Sequence, residues 1–109
     1  MILKTNKTAY PIIVAKSFYK RLTGLIGKEN IDFGMLFPKC NSIHTYFMKE
    51  NIDVIGLDEN NIVIYKVENL SKNKVITINY PKKKTTILEL PKNSSKKIKI
   101  GSVVTFNEE

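Results

Sequence analysis

The sequence predicts a mainly β fold: a β-sandwich or barrel-like domain of mostly antiparallel strands, with one short α-helix near residues 17–26. Three observations carry this. About eight short runs rich in Ile, Val, Leu, Thr and aromatic residues recur at close spacing. Turn-formers and polar clusters separate them, not helical segments, which implies antiparallel neighbours. Only one segment has the 3.6-residue period of a helix. The 109 residues are 42% hydrophobic and 26% charged. That suits one soluble domain, residues 1–109, with a core large enough to need no staples.

Residues 1–5 form a short strand candidate, followed by a turn at Thr5, Asn6 and Lys7. Residues 9–15 are β-branched and apolar, and Pro11 places them at an edge or a strand start, because Pro cannot donate to a ladder. Ser17 is a helix N-cap, and Phe18, Leu22 and Leu25 or Ile26 then make one apolar stripe. Gly24 and Gly27 suit its termination. Strands follow at 34–37, 42–48 and 52–58, the first stopped by Pro38. Glu59, Asn60 and Asn61 signal a hairpin, since Asn tolerates positive φ, and 62–67 returns. Strands at 74–78, 85–90 (stopped by Pro91) and 103–106 complete the set.

The net charge of +8 points to an anionic partner: nucleic acid, a phospholipid surface or an acidic polymer. Yet only Arg21 is Arg, and the other 17 basic residues are Lys, spread through the chain among abundant Ile and Asn. Specific phosphate and base readout favours the planar guanidinium, so nucleic acid is disfavoured as a partner. The clusters Lys82–Lys83–Lys84 and Lys96–Lys97 with Lys99 read as solvated strand ends. One Cys allows no internal disulfide and fits a reducing compartment. With only one Cys and one His, no Cys-based zinc framework is available, and neither a metal nor another cofactor is expected. No apolar run reaches the ~18 residues of a membrane span. The first residues lack a signal peptide's long apolar region, so a cytoplasmic location is expected.

The rare residues gather between Phe33 and Asp58. A hairpin centred on Glu50 would pair residues 42–48 with 52–58, setting His44 opposite Gly56 and Asp53 opposite Phe47. A one-residue slip would bring His44 and Asp53 onto one face. His44 suits a general base or a ligand contact, and Gly56 opposite it would leave room for a small molecule. Against this stands the plainer reading of a strand histidine bonded to the backbone. Cys40, four residues from His44, invites a Cys–His nucleophile, but no Gly-rich oxyanion segment flanks it. Asp53 lies inside an apolar run and therefore demands a partner; Glu89 does so more weakly. Asp58 is explained by turn hydrogen bonding. Met35 and Met48 read as apolar fillers.

The order of these residues resembles a small bacterial and archaeal family, domain of unknown function 192. The likeness runs from about Ala15 to Val104. It is carried by Arg21-Leu22 with Gly24-Leu25-Ile26, then Gly34-Met35-Leu36-Phe37, Ile43-His44-Thr45, Phe47-Met48-Lys49, Ile52-Asp53-Val54 and Leu57-Asp58. Leu88-Glu89-Leu90-Pro91 and Gly101 close the pattern, and the Ile-His-Thr version resembles one subgroup. The resemblance implies a mainly β, sandwich-like fold with a helix after the second strand, and no particular activity. Some relatives carry export signals. Gly56 and Ser102 depart from the pattern, standing where a bulky apolar residue and an Asp are usual.

These readings favour a non-enzymatic ligand-binding or accessory domain over an enzyme. Its site lies at the 43–58 hairpin, with His44, Tyr46, Met48 and Asp53 as binding residues and a small molecule or a protein as partner. The rival is a hydrolase or transferase using His44 with Asp53 or Cys40. A third reading is weak polyanion binding through surface Lys.

Overall fold

A computed structural model describes residues 2–4, 9–15, 27 and 31–107 (backbone only at 9 and 10). Nine strands appear among them: β1 Ile2–Lys4, β2 Ala9–Val14, β3 Gly34–Pro38, β4 Ser42–His44, β5 Ile52–Leu57, β6 Val63–Leu70, β7 Val75–Thr77, β8 Thr86–Pro91 and β9 Thr105–Asn107. Seven form one sheet in the order β6-β5-β8-β3-β2-β1-β9, and β4 and β7 form a separate two-stranded ribbon. All pairings are antiparallel except β2 with β3, which run parallel.

The two outer strands of the large sheet meet. Ile62, just before β6, bridges to Val103, just before β9. Val63 N–H donates to the Ser102 carbonyl at 2.9 Å, Val104 N–H to Asn61 at 3.0 Å and Gly101 N–H to Val63 at 2.8 Å. The sheet therefore curls into a barrel joined at this seam, which relieves part of its exposed-edge problem. The interior confirms the closure. One apolar cluster takes Leu3 from β1, Ile12 from β2, Leu36 from β3, Ile55 and Leu57 from β5, Val63 from β6, and Leu88 and Leu90 from β8. Phe106 of β9 packs against the same cluster.

The alternate residues of β3, β5 and β8 point outward and are covered as well. Met35, Phe37, Ile52, Val54 and Ile87 form a second cluster with Met48, Ile76 and Ile78. The β4–β7 ribbon is its lid. Ile43 and Ile76, opposite one another in the ribbon, face inward. Period-two alternation then sends Ser42, His44, Val75 and Thr77 outward.

A mainly β, mostly antiparallel, barrel-like fold is thus observed, with a strand at each of the nine runs read from the sequence. The helix expected at 17–26 lies outside the described residues; the helical segment that is described is a single 3-10 turn, Lys82–Lys84. The hairpin expected between 42–48 and 52–58 does not form. β4 ends at His44 and pairs with β7, while β5 pairs with β6 and β8. Strand β5 is buried along its whole length, so it is a central strand with a neighbour on each side and has no edge left for β4. The turn predicted at 59–61 is present. Asp58 Oδ1 accepts from Asn60 N–H at 2.8 Å and Ile62 N–H at 3.0 Å, and Asn61 sits at φ 60.

Gly56 faces Tyr65, not His44. A Cβ there would collide with Ile78 Cδ1 and stand 3.1 Å from Tyr65 Cβ. The space beside Gly56 is filled by Ile78, so no ligand pocket opens at that point. We expect Gly56→Ala to cost about 1–3 kcal/mol through overpacking. In an Ile78→Val background, which removes Cδ1, the cost shrinks. A double-mutant cycle in urea reads the coupling, and strict additivity would refute the steric account.

The turn at 59–61 is also tied to the segment after β7. Tyr80 donates its hydroxyl to Glu59, and Lys84 lies 3.7 Å from the same carboxylate. Accepting the Tyr80 proton holds the Glu59 carboxyl below the usual carboxylate range, and the same bond raises the Tyr80 phenol. A lowered acid stabilises the fold above its unfolded value and loses that contribution as pH falls. A raised phenol stabilises below its unfolded value and loses that as pH climbs. The Tm difference between wild type and Tyr80→Phe should be largest at about pH 6–9 and shrink toward both extremes. A difference independent of pH would show that the bond is not the source.

Candidate functional site

The sequence-predicted residues separate into a buried group and an exposed one. Asp53 is fully buried. It shares the inward face of β5 with Ile55 and Leu57, at the end of the barrel where β6 and β8 finish. Its Oδ1 accepts from Asn69 N–H at 2.8 Å and Asn93 N–H at 2.9 Å. Its Oδ2 accepts from Ser95 N–H at 2.9 Å and Ser95 Oγ at 2.5 Å. Asn69 and Asn93 both adopt left-handed backbone, φ 54 and 66, which aims their N–H groups at the carboxylate. Four donors saturate the group, and His44 is not one of them. Asp53 is a latch that fastens residues 92–98 across the barrel end. Lys66 adds a bond from its ammonium to the Ile98 carbonyl at 2.7 Å, and Ile98 plugs the inner cluster.

Cys40 is partly buried against the outer cluster. Its thiol donates to the Ser42 carbonyl at 3.3 Å. Met48 is buried in the same cluster. Among the described residues no group of three His, Cys, Asp or Glu side chains is placed to hold a metal.

His44 and Tyr46 do come together. Their rings lie 5.2 Å apart between centroids at 34°, within the range of aromatic pairs. His44 stands on the outer face of the ribbon opposite Val75. Tyr46 is 41% exposed, Val75 62% and Phe47 81%. Phe47 also adopts left-handed backbone, φ 65, a conformation that places Cβ against the following carbonyl and is rare for bulky side chains. The patch is built by Thr45, which is buried directly beneath it. Thr45 N–H donates to Lys74 O at 2.8 Å, Lys74 N–H donates to Thr45 Oγ1 at 2.9 Å, and that hydroxyl donates to Ser71 O at 2.8 Å. Asn73 N–H and Met48 N–H both donate to the Thr45 carbonyl. One threonine thus clasps the 71–75 loop to the 45–48 turn, ends β4 and turns Tyr46 and Phe47 outward. Sequence reasoning missed Phe47 and Val75. The available signal was an aromatic pair inside a short polar turn, Thr45-Tyr46-Phe47-Met48-Lys49-Glu50.

The fold and this site define a small β-barrel domain with a ribbon lid that presents an aromatic and aliphatic patch. The chain belongs to DUF192, the uncharacterized ACR family, whose profile matches residues 1–106. It is 37% identical over 57 residues to a UPF0127 protein of Thermococcus sibiricus, and the matched segment spans 47% of this chain and 37% of that protein. The fold is shared with a protein of unknown function from Novosphingobium aromaticivorans, at TM-score 0.81 and 15% identity, covering 96% of this chain and 82% of that one. It is also shared with a Sinorhizobium meliloti protein described as a candidate transcription regulator, at TM-score 0.80 and 18% identity, covering 95% and 89%.

Asp53→Asn keeps the shape of the latch but turns an NH2 group toward at least one N–H donor. We expect a loss of about 2–4 kcal/mol in urea denaturation, the cost of leaving buried donors unsatisfied. A loss under about 1 kcal/mol would remove the latch role.

Proposed function

We propose that this chain is a non-enzymatic binding or accessory domain and that its contact surface is the outer face of the β4–β7 ribbon with the turn after β4. His44, Tyr46, Phe47 and Val75 make that surface. The observation that carries the reading is Phe47, 81% exposed on left-handed backbone. An L-residue held there costs the fold about 1–2 kcal/mol, and a ring in water contributes almost nothing to the core. A feature that costs stability and returns none to the fold is best explained by what it contacts.

The rival enzyme reading loses support from the same geometry. The carboxylate of Asp53 is saturated by Asn69, Asn93 and Ser95, and the Cys40 thiol is directed at a backbone carbonyl. Neither arrangement supplies His44 with the partner that acid–base or nucleophilic catalysis requires. Met48 and Asp53 support the barrel and its lid from within and leave contact to the exposed group. The description of the Sinorhizobium protein raises nucleic acid as a partner. A single Arg and dispersed lysines give that reading little here.

A screen of small aromatic and aliphatic fragments, read by backbone amide shifts, tests the surface. We expect shifts concentrated at residues 43–48 and 72–76. Shifts centred elsewhere, for example on the exposed Ile100 and Val103, or no shifts at all, would overturn the assignment.

A further inference from the structure

Resting on the contact surface proposed above, we infer that its partner is an anionic phospholipid surface, met by Phe47 as an inserting tip and by lysines around it. Three features of the patch support this. The first is layering. Phe47, the most exposed apolar side chain described, leads. Tyr46, less exposed at 41%, pairs its ring with that of His44, and each has an apolar body and a polar edge. A buried floor of Met48 and Ile76 lies below. An apolar tip followed by amphipathic rings matches the profile of a bilayer interface, where Tyr collects at headgroup depth.

The second is charge. Lys74 is bonded through its backbone N–H and C=O to Thr45, and Lys72 lies between Ser71 and Asn73, both also bonded to Thr45. Both residues are exposed, in the loop that Thr45 ties to the aromatic turn. Of the acids nearest in sequence, Glu68 lies 3.7 Å from Lys66, and Glu50 points away to accept from Ile31 N–H at 3.4 Å while keeping its charge. The local field is cationic, in a chain of net charge +8. The third is the kind of cation. Lys is a compact charge without the planar fork needed for bidentate phosphate or base contacts. It suits diffuse attraction to anionic headgroups, and one chemical signal is then reinforced by another, as stable peripheral attachment requires.

Co-sedimentation with vesicles tests this, using phosphatidylcholine alone and phosphatidylcholine mixed with phosphatidylserine, at low and high salt. We expect binding to the mixed vesicles only, weakened by salt. Phe47→Asn is the informative variant, because Asn accepts left-handed backbone, and its Tm should equal or exceed that of wild type. Its affinity for the mixed vesicles should fall by about tenfold or more, the loss of one inserted ring. Lys72→Glu with Lys74→Glu should reduce binding at least as far. Absence of binding by the wild-type chain would overturn the proposal. So would binding that survives Phe47→Asn, which would reduce it to dispersed lysine charge. A labelled single-stranded oligonucleotide that binds tightly and loses affinity in Phe47→Asn would assign the patch to nucleic acid instead. Fragment shifts at 43–48 without vesicle binding would remove the lipid partner while leaving the contact surface in place.

Discussion

Strands β3, β5 and β8 must be covered on both faces, and most of the molecule follows from that requirement. Every residue of β5 is buried, and so are the four central residues of β8. A strand with two apolar faces cannot sit at the surface of an antiparallel sheet, where one face normally meets water. The inner faces are satisfied when the sheet curls on itself and Leu3, Val63 and Val104 arrive from its margins. The outer faces need a separate lid, which the β4–β7 ribbon supplies through Ile43, Ile76 and Ile78. The absence of a side chain at Gly56 admits Ile78 to that interface. Polar groups caught in these strands are accounted for as well: Asp53 has four donors, and among the described residues no buried side-chain oxygen or nitrogen lacks a hydrogen-bond partner.

The position of the patch is a by-product of that packing. Once Ile43 and Ile76 are committed inward, His44 and Val75 must face out, because alternation leaves no other choice. Thr45 then leaves the strand geometry to bond the 71–75 loop, and Tyr46 and Phe47 emerge on the turn. The patch is therefore framed by backbone hydrogen bonds even though its members are exposed.

Much of this was legible in the residues. The β-branched runs located most of the strands, and the Glu59-Asn60-Asn61 turn was readable because Asp58 and Asn61 have local bonding roles. That Asp53 needed a partner was readable from its apolar neighbours. The identity of that partner was not, since Asn93 and Ser95 lie about forty residues away and nothing local points to them. The hairpin error has the same origin. Lys49, Glu50 and Asn51 make a good local turn, but β4 finds its partner 31 residues or more along the chain, beside a threonine whose side-chain bonds are all long-range. A run at 52–57 that is apolar on both faces apart from Asp53 was the signal that β5 is central and already has a neighbour on each side.

The pairing of β1 with β9 has a consequence for how the chain is made. Leu3 stands opposite Phe106 in the ladder and belongs to the inner cluster from the other end of the sequence. On a ribosome, the first strand emerges long before its partner exists. The seam at Ile62 and Val103 has the same dependence on late residues. The β1–β9 contacts, separated by ~100 residues, are slow to form because loop closure precedes any reward. The nascent chain therefore carries an open, one-sided sheet until residues 103–107 have been made. Lysines are abundant in that chain, and charge along exposed strand edges disfavours edge-to-edge pairing between unfinished copies.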